Sequence, residues 1–143
     1  GLEKPNLKSY HPEAKRLYGQ LYPHVKTLFP IVTQPKLWSN NLKVRGYADL
    51  IALDAATGEL IMVDIKNSRR PKDSESLQDY FLQTTLYSMM FFEMTSLPIK
   101  RVKLMIGVRS ENVPQIEERK TSEFVKEALS RVRIYHSKYN SSS

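Results

Sequence analysis

In the stretch Val63-Asp64-Ile65-Lys66, an ionised carboxylate and an ammonium stand two residues apart in an otherwise apolar segment. At the period of a β-strand, Leu60, Met62, Asp64 and Lys66 share one face, while Ile61, Val63 and Ile65 share the other. A second acid, Asp49, lies on the preceding extended run, and the short loop Ala55-Ala56-Thr57-Gly58 suits a hairpin between the two runs. Two carboxylates and one lysine then converge on a strand pair. Hard oxygen ligands of this kind suit Mg²⁺ or Mn²⁺, with the backbone carbonyl of Ile65 as a third donor. Such an ion neutralises charge on a phosphate and makes a water nucleophilic at neutral pH. Lys66 would orient or deprotonate that water, or stabilise charge developing on the phosphate. Phosphodiester hydrolysis is the chemistry this grouping suits. The plain alternative is a surface ion pair between Asp64 and Lys66, worth ~0–1 kcal/mol if exposed. Two features weigh against it: the charges interrupt an apolar strand, and a second acid lies on the adjoining one.

The elements that must position these groups are legible from periodicity. Residues 1–11 read as a polar lead-in. A helix is expected from Pro12, with Glu13 near its positive end. Ala14, Leu17, Tyr18, Leu21, Tyr22, Val25 and Leu28 recur along it, and Pro23 should kink or split it. Glu13, Leu17, Gln20 and His24 form one stripe of that helix. Pro30 should end it, a first strand over 31–38 carries Pro35 as an edge strand would, and Asn40-Asn41 marks a turn. A second strand over 42–54 places Lys43, Arg45, Tyr47, Asp49 and Ile51 on one side, with Gly46 as a bulge or a place where another backbone or a ligand comes close. The third strand is 59–66, followed by a basic loop from Asn67 to Ser74. A helix over 77–93 opens near Ser76, with Asp79 three residues on. Gln83 and Tyr87 share a face of it, and Met89, Met90, Phe91 and Phe92 are expected in the core. A strand over 100–108, a polar loop over 109–120 and a last helix from about Ser122 to Tyr139 complete an α-β-β-β-α-β-α order. The last helix should bury Phe124, Val125, Ala128, Leu129, Val132 and Tyr135. The class is α/β, a mixed sheet flanked by helices.

The 143 residues suit a single domain spanning 1–143, with 140–143 as a flexible tail. No apolar stretch approaches the ~18 residues of a membrane span, and no signal-peptide pattern opens the chain. Without cysteine there is no disulfide framework, thiolate zinc site or iron–sulfur cluster, and an intracellular setting is expected. A chain that starts with Gly and ends in Ser-Ser-Ser reads as an excised core or processed fragment. The net charge of +7 gains meaning from where it gathers: Lys66, Arg69, Arg70 and Lys72 follow the acidic strand directly.

The segments Gly46-Tyr47-Ala48-Asp49, Val63-Asp64-Ile65-Lys66-Asn67-Ser68 and Gln83-Thr84-Thr85-Leu86-Tyr87 together resemble the PD-(D/E)XK nuclease superfamily. More narrowly the chain is similar to RecB-like exonucleases, in which an Asp, a (D/E)-x-K strand and a Gln-x-x-x-Tyr helix follow in that order. With Arg69-Arg70-Pro71-Lys72 and Tyr80-Phe81-Leu82-Gln83 it comes closest to the mitochondrial genome maintenance exonuclease and its phage relatives. The resemblance covers residues ~30–108. It implies a restriction-endonuclease-like core and Mg²⁺-dependent (or Mn²⁺-dependent) cleavage of DNA, at single strands or ends. A compartment follows from the same likeness: the cytoplasm of a bacterial or phage-infected cell, or the mitochondrion. Residue by residue it implies that Asp49 and Asp64 bind the metal, that Lys66 is the catalytic lysine, and that Gln83 and Tyr87 line the site. Relatives usually add a His or Glu from an early helix, for which His24 and Glu13 are the candidates. Gln34 stands where an acid is often found. Arg69, Arg70 and Lys72 are candidates for gripping phosphates, or else form a solvated loop. Tyr47 and Tyr80 are candidates for stacking on bases, or else core aromatics, and Trp38 divides between the same roles. Two rivals share these residues: a structure-selective endonuclease of resolvase or restriction type, and a non-catalytic nucleic-acid-binding module on a nuclease fold.

Overall fold

The computed structural model describes residues 12–140, with the side chains of 12–138; the expected lead-in and most of the tail lie outside the described residues. The elements are α1 (Pro12–Val25), β1 (Leu28–Thr33), β2 (Lys36–Ser39), β3 (Val44–Tyr47), β4 (Leu50–Asp54), β5 (Leu60–Ser68), α2 (Ser74–Thr95), β6 (Arg101–Val108), β7 (Gln115–Lys120), a 3₁₀ turn (Thr121–Glu123) and α3 (Val125–Asn140). Five strands form one mixed sheet in the order β1-β4-β5-β6-β7, and β2 and β3 form a separate two-stranded ribbon. β4 and β5 are antiparallel, joined by the expected hairpin, in which Gly58 adopts a left-handed φ of 71°. β5 and β6 run parallel, with α2 as the crossover. The central mixed sheet flanked by helices is therefore as expected.

The sheet is buried on both faces. On one, α1 sets Leu21 and Val25 against Leu28, Leu50, Ala52, Ile61, Val63 and Met105. On the other, Ile51, Met62, Val102, Leu104 and Ile106 pack against Phe81, Leu82, Met90 and Phe91 of α2 and Phe124 and Ala128 at the start of α3. β5 and β6 alternate between these clusters, as apolar runs in central strands do.

Several expected boundaries move. α1 passes through Pro23 unbroken, because the proline sits two residues from its end and the carbonyl that loses its partner belongs to exposed Gly19. Pro30 lies inside β1, an edge strand whose register shifts between Pro30 and Val32. The edge argument made for Pro35 holds for Pro30 instead. The single run 31–38 is two strands, broken at Gln34, whose φ is 48°. The run 42–54 divides at Ala48 and Asp49, where the chain leaves the ribbon and enters the main sheet. α2 begins earlier, capped by Asp73, whose carboxylate accepts the Ser76 N–H at 2.9 Å. Its buried side includes Thr84, Thr85 and Ser88, while Phe92 is exposed. Thr84 and Ser88 donate their hydroxyls to Tyr80 and Thr84 carbonyls one turn back, which lets polar side chains occupy the core face. The expected loop 109–120 contains β7, an edge strand carrying Glu117, Glu118, Arg119 and Lys120. α3 starts at Val125, and Tyr135 is exposed.

Candidate active site

β4 pairs with β5 only from Leu60 to Val63, whereas β5 continues to Ser68 along β6. Beyond Val63 one edge of β5 is therefore open. Asp49, just before β4, fills the first place on it: its Oδ2 accepts the Ile65 N–H at 2.7 Å. In an extended strand a residue's N–H and C=O point to the same edge, so the Ile65 carbonyl faces this opening beside Asp49. Asp64 projects onto the α2 face with Met62, because residues two apart share a face.

The Asp64 side chain is only 14% exposed, and its Oδ2 lies 3.1 Å from Lys66 Nζ. That buried oxygen accepts no hydrogen bond of good alignment. Burial, then a hydrogen bond between the Asp64 and Asp49 carboxyl groups, outweigh the nearby Lys66 ammonium and raise the Asp64 pKa to about 6. Lys66 Nζ also sits 4.5 Å above the Tyr80 ring centroid, a cation–π contact that holds the ammonium in place.

α2 closes the site from above. Gln83 Nε2 donates to the Tyr87 hydroxyl at 3.0 Å, as their shared face requires. Burial first, then the Asp64 carboxylate, push the Tyr87 phenol up, which places Tyr87 within electrostatic reach of the acids. Gly46 is a point of close approach, made by a side chain rather than by the backbone or ligand expected there. A Cβ there would stand 3.0 Å from Tyr87 Cε1, so the glycine makes room for this ring.

Among the described residues neither early-helix candidate joins the two acids in a cluster, and Glu13 shares a cleft with Arg69 and Arg109. α1 covers the opposite face of the sheet, and His24 sits in its last turn with its carbonyl accepting from Thr27 Oγ1 at 2.7 Å. Glu13 is ion-paired to Arg16 at 3.4 Å. Among the described residues no third Asp, Glu, His or Cys joins Asp49 and Asp64 in a cluster. Gln34 touches Asp49 through backbone, its N–H donating to the Asp49 carbonyl at 2.8 Å.

Arg69 and Arg70 are exposed on the loop after β5, and Lys72 Nζ lies 5.9 Å from the Tyr80 ring centroid. Tyr80 is half-buried and packed on the core, with these two ammoniums near its ring. Tyr47 and Trp38 are exposed. Two contributors were not foreseen. The Gln115 amide accepts from the Lys72 N–H at 2.6 Å and donates to its carbonyl at 3.0 Å, pinning the basic loop. Arg109 comes beside Arg69 because the parallel pairing continues past β6, with Arg109 N–H donating to Ser68 and Ser110 N–H to the Arg69 carbonyl. Only the β5–β6 register could have revealed that pairing. A groove of about 710 Å³ between β3, α2 and α3 adjoins the site through Tyr80 and Gln83 but does not contain the acids, which stand at the open sheet edge.

Two neighbouring carboxylates, one of them largely buried, and a carbonyl on the same edge form an all-oxygen donor set. It fits a hard divalent cation. With this geometry in place, the sequence family is clear: the model of the PD-(D/E)XK nuclease superfamily matches residues 7–140, and the chain belongs to that superfamily. Its members generally use divalent metal ions. No curated protein matches the sequence. A solved structure, the crystal structure of SSO0001, is similar at 20% identity with a TM-score of 0.45, over 88% of this chain and 62% of that one. The chain thus spans less than two thirds of that protein's length. Among the described residues no helix is long and apolar enough to cross a membrane.

Proposed function

We propose that this nuclease is an Mg²⁺- or Mn²⁺-dependent deoxyribonuclease of RecB-like type, working as an exonuclease on single strands or DNA ends. The observation that carries the reading is that Asp49, held on the Ile65 N–H, and Asp64, paired with Lys66, stand near one another at an open strand edge. Two neighbouring like charges oppose each other's ionisation, and a seat for a cation relieves that opposition. Asp49, Asp64 and the Ile65 carbonyl would hold the ion, which when bound would polarise the phosphate and lower the pKa of water. Lys66, steadied over Tyr80, stabilises negative charge on the phosphate oxygens or takes the proton of the attacking water. The Gln83–Tyr87 pair supports the strand from the α2 side. Arg69, Arg70 and Lys72 bind flanking phosphates, which fixes register rather than sequence. Exonuclease action and the RecB-like assignment rest on the sequence motifs alone.

The test is a panel of labelled linear single-stranded, linear double-stranded and circular single-stranded DNA, with Mg²⁺ or with EDTA. Linear strands should be shortened only with the ion, and circles should persist. Asp64→Ala and Lys66→Ala should fold and bind DNA yet cut slower by roughly a hundredfold or more. Cutting of circles would select the endonuclease rival. Binding with no cutting under any divalent ion would select the non-catalytic module.

A further inference from the structure

The β2–β3 ribbon has two faces of different character. Leu37 and Ser39 of β2 are buried, and Gly46 of β3 abuts Tyr87. The outward set is Lys36, Trp38, Arg45 and Tyr47, paired in register as Lys36 with Tyr47 and Trp38 with Arg45. Trp38 is 46% exposed and Tyr47 63%. Exposed aromatics are common one at a time. Here two share a four-residue face on which the other two residues are cations. From Gln34 to Tyr47 the sequence holds Lys36, Lys43 and Arg45 and no acid. The acid that touches the ribbon from α2, Glu93, is engaged by the Ser39 hydroxyl and by the Asn40 and Asn41 amides at 3.1 and 3.3 Å. The ribbon is also tied to the site. The Ala48 N–H donates to the Pro35 carbonyl at 3.2 Å, the Gln34 N–H to that of Asp49 at 2.8 Å, and Tyr47 precedes Asp49 by two residues.

We propose that this outward face is a stacking track for single-stranded DNA, running toward Asp49 and Asp64. What waits at its end rests on the nuclease reading above. Unpaired bases have free π faces that stack on Trp and Tyr without sequence preference, at ~1–3 kcal/mol per base. Lys36 and Arg45 meet the intervening phosphates. Trp38 and Tyr47 are diagonal neighbours, ~7–8 Å apart in such a pair. That is about twice the ~3.4 Å rise per nucleotide of a stacked strand, so the rings suit bases that have separated from one another. A duplex offers no such faces along its length. A protein partner would also exploit Trp, Tyr and Arg, but charge of one sign and continuity with the acids favour a polyanion.

Trp38 is the sole tryptophan, so its fluorescence reads the track directly. An oligothymidine strand titrated into the full chain in EDTA should quench it saturably, in step with binding followed by anisotropy of a labelled strand. The double variant Trp38→Ala/Tyr47→Ala should bind that strand at least roughly tenfold more weakly, with duplex binding changed far less and the melting temperature unmoved. Binding that leaves Trp38 emission unchanged would overturn the track. So would a double variant that binds as tightly as its parent, an outcome that hands the face to a protein partner. Strand binding through Trp38 with no cutting in Mg²⁺ would sink the nuclease reading alone, whereas cutting while Trp38 stays silent would sink the track alone.

Discussion

Asp64, the proposed metal ligand, is held ionised at neutral pH against the stability of the fold. Its carboxyl titrates at about 6 in the folded protein rather than near 3.8, through burial and the Asp49 carboxyl. The folded state therefore holds that proton more tightly than the unfolded chain does. The stabilisation is full below about pH 4 and is lost as pH rises through about 6, amounting to up to about 3 kcal/mol. In EDTA at pH 7.5, Asp64→Asn is expected to melt several degrees above its parent, with the two curves converging toward pH 4 and cleavage abolished. A variant that melts no higher at neutral pH would remove the idea that this ionised acid is held at a loss. Asp49, Asp64, Lys66, Gln83 and Tyr87 were legible because their relations are local: two on one strand face, two on one helix face, one across a short hairpin. The face on which α1 sets His24 was not, because nothing in a helix's own pattern says which side of a sheet it will cover.

Among the elements, β7 was the least legible and has the clearest effect on the site. Gln-Ile-Glu-Glu-Arg-Lys lacks the apolar alternation of a strand because it lies at an edge, where charge is tolerated and deters further pairing. Its first residue, Gln115, holds both backbone groups of Lys72. Gln115→Ala is expected to cost about 1–2 kcal/mol of stability and to loosen the loop that carries Arg69, Arg70 and Lys72. Limited trypsin digestion reads this directly, with cleavage after Arg69 or Lys72 faster than in the parent. An unchanged cleavage rate would show the loop to be held by other means. The ribbon escaped notice for a different reason. The chain alternates from Leu42 to Asp49 and runs on into apolar Leu50 to Leu53, and no breaker residue stands at Ala48, which is buried in the α2-side core where the chain passes from one sheet to the other.

At the scale of the molecule, α1 is fastened to the sheet through one buried amide. Gln20 donates to the Val108 and Glu111 carbonyls at 2.8 and 2.6 Å and accepts from the Val108 N–H at 2.8 Å. It lies on the same stripe as Leu17, the face that meets β6. Gln20→Ala leaves the Val108 N–H at a buried strand end without its partner, while the Glu111 carbonyl keeps Arg16 and the Val108 carbonyl keeps the Glu111 N–H, and a loss of about 1–3 kcal/mol is expected, read as a lower urea midpoint. A midpoint within experimental error of the parent would show that water replaces the amide at no loss. The overall architecture was readable because β4, β5 and β6 are long enough in apolar residues to declare themselves. The polar groups that lock the layers together follow from geometry that no local pattern encodes.

The opening beside β5 leaves a trace in a place unrelated to cleavage. The Ile65 amide sits in the middle of a sheet, yet it is shielded by a carboxylate rather than by a neighbouring strand. Its hydrogen should trade with solvent deuterium at a rate set by Asp49 alone, slowing or quickening as that side chain keeps or releases it. One backbone proton thus becomes a gauge of whether Asp49 is occupied elsewhere.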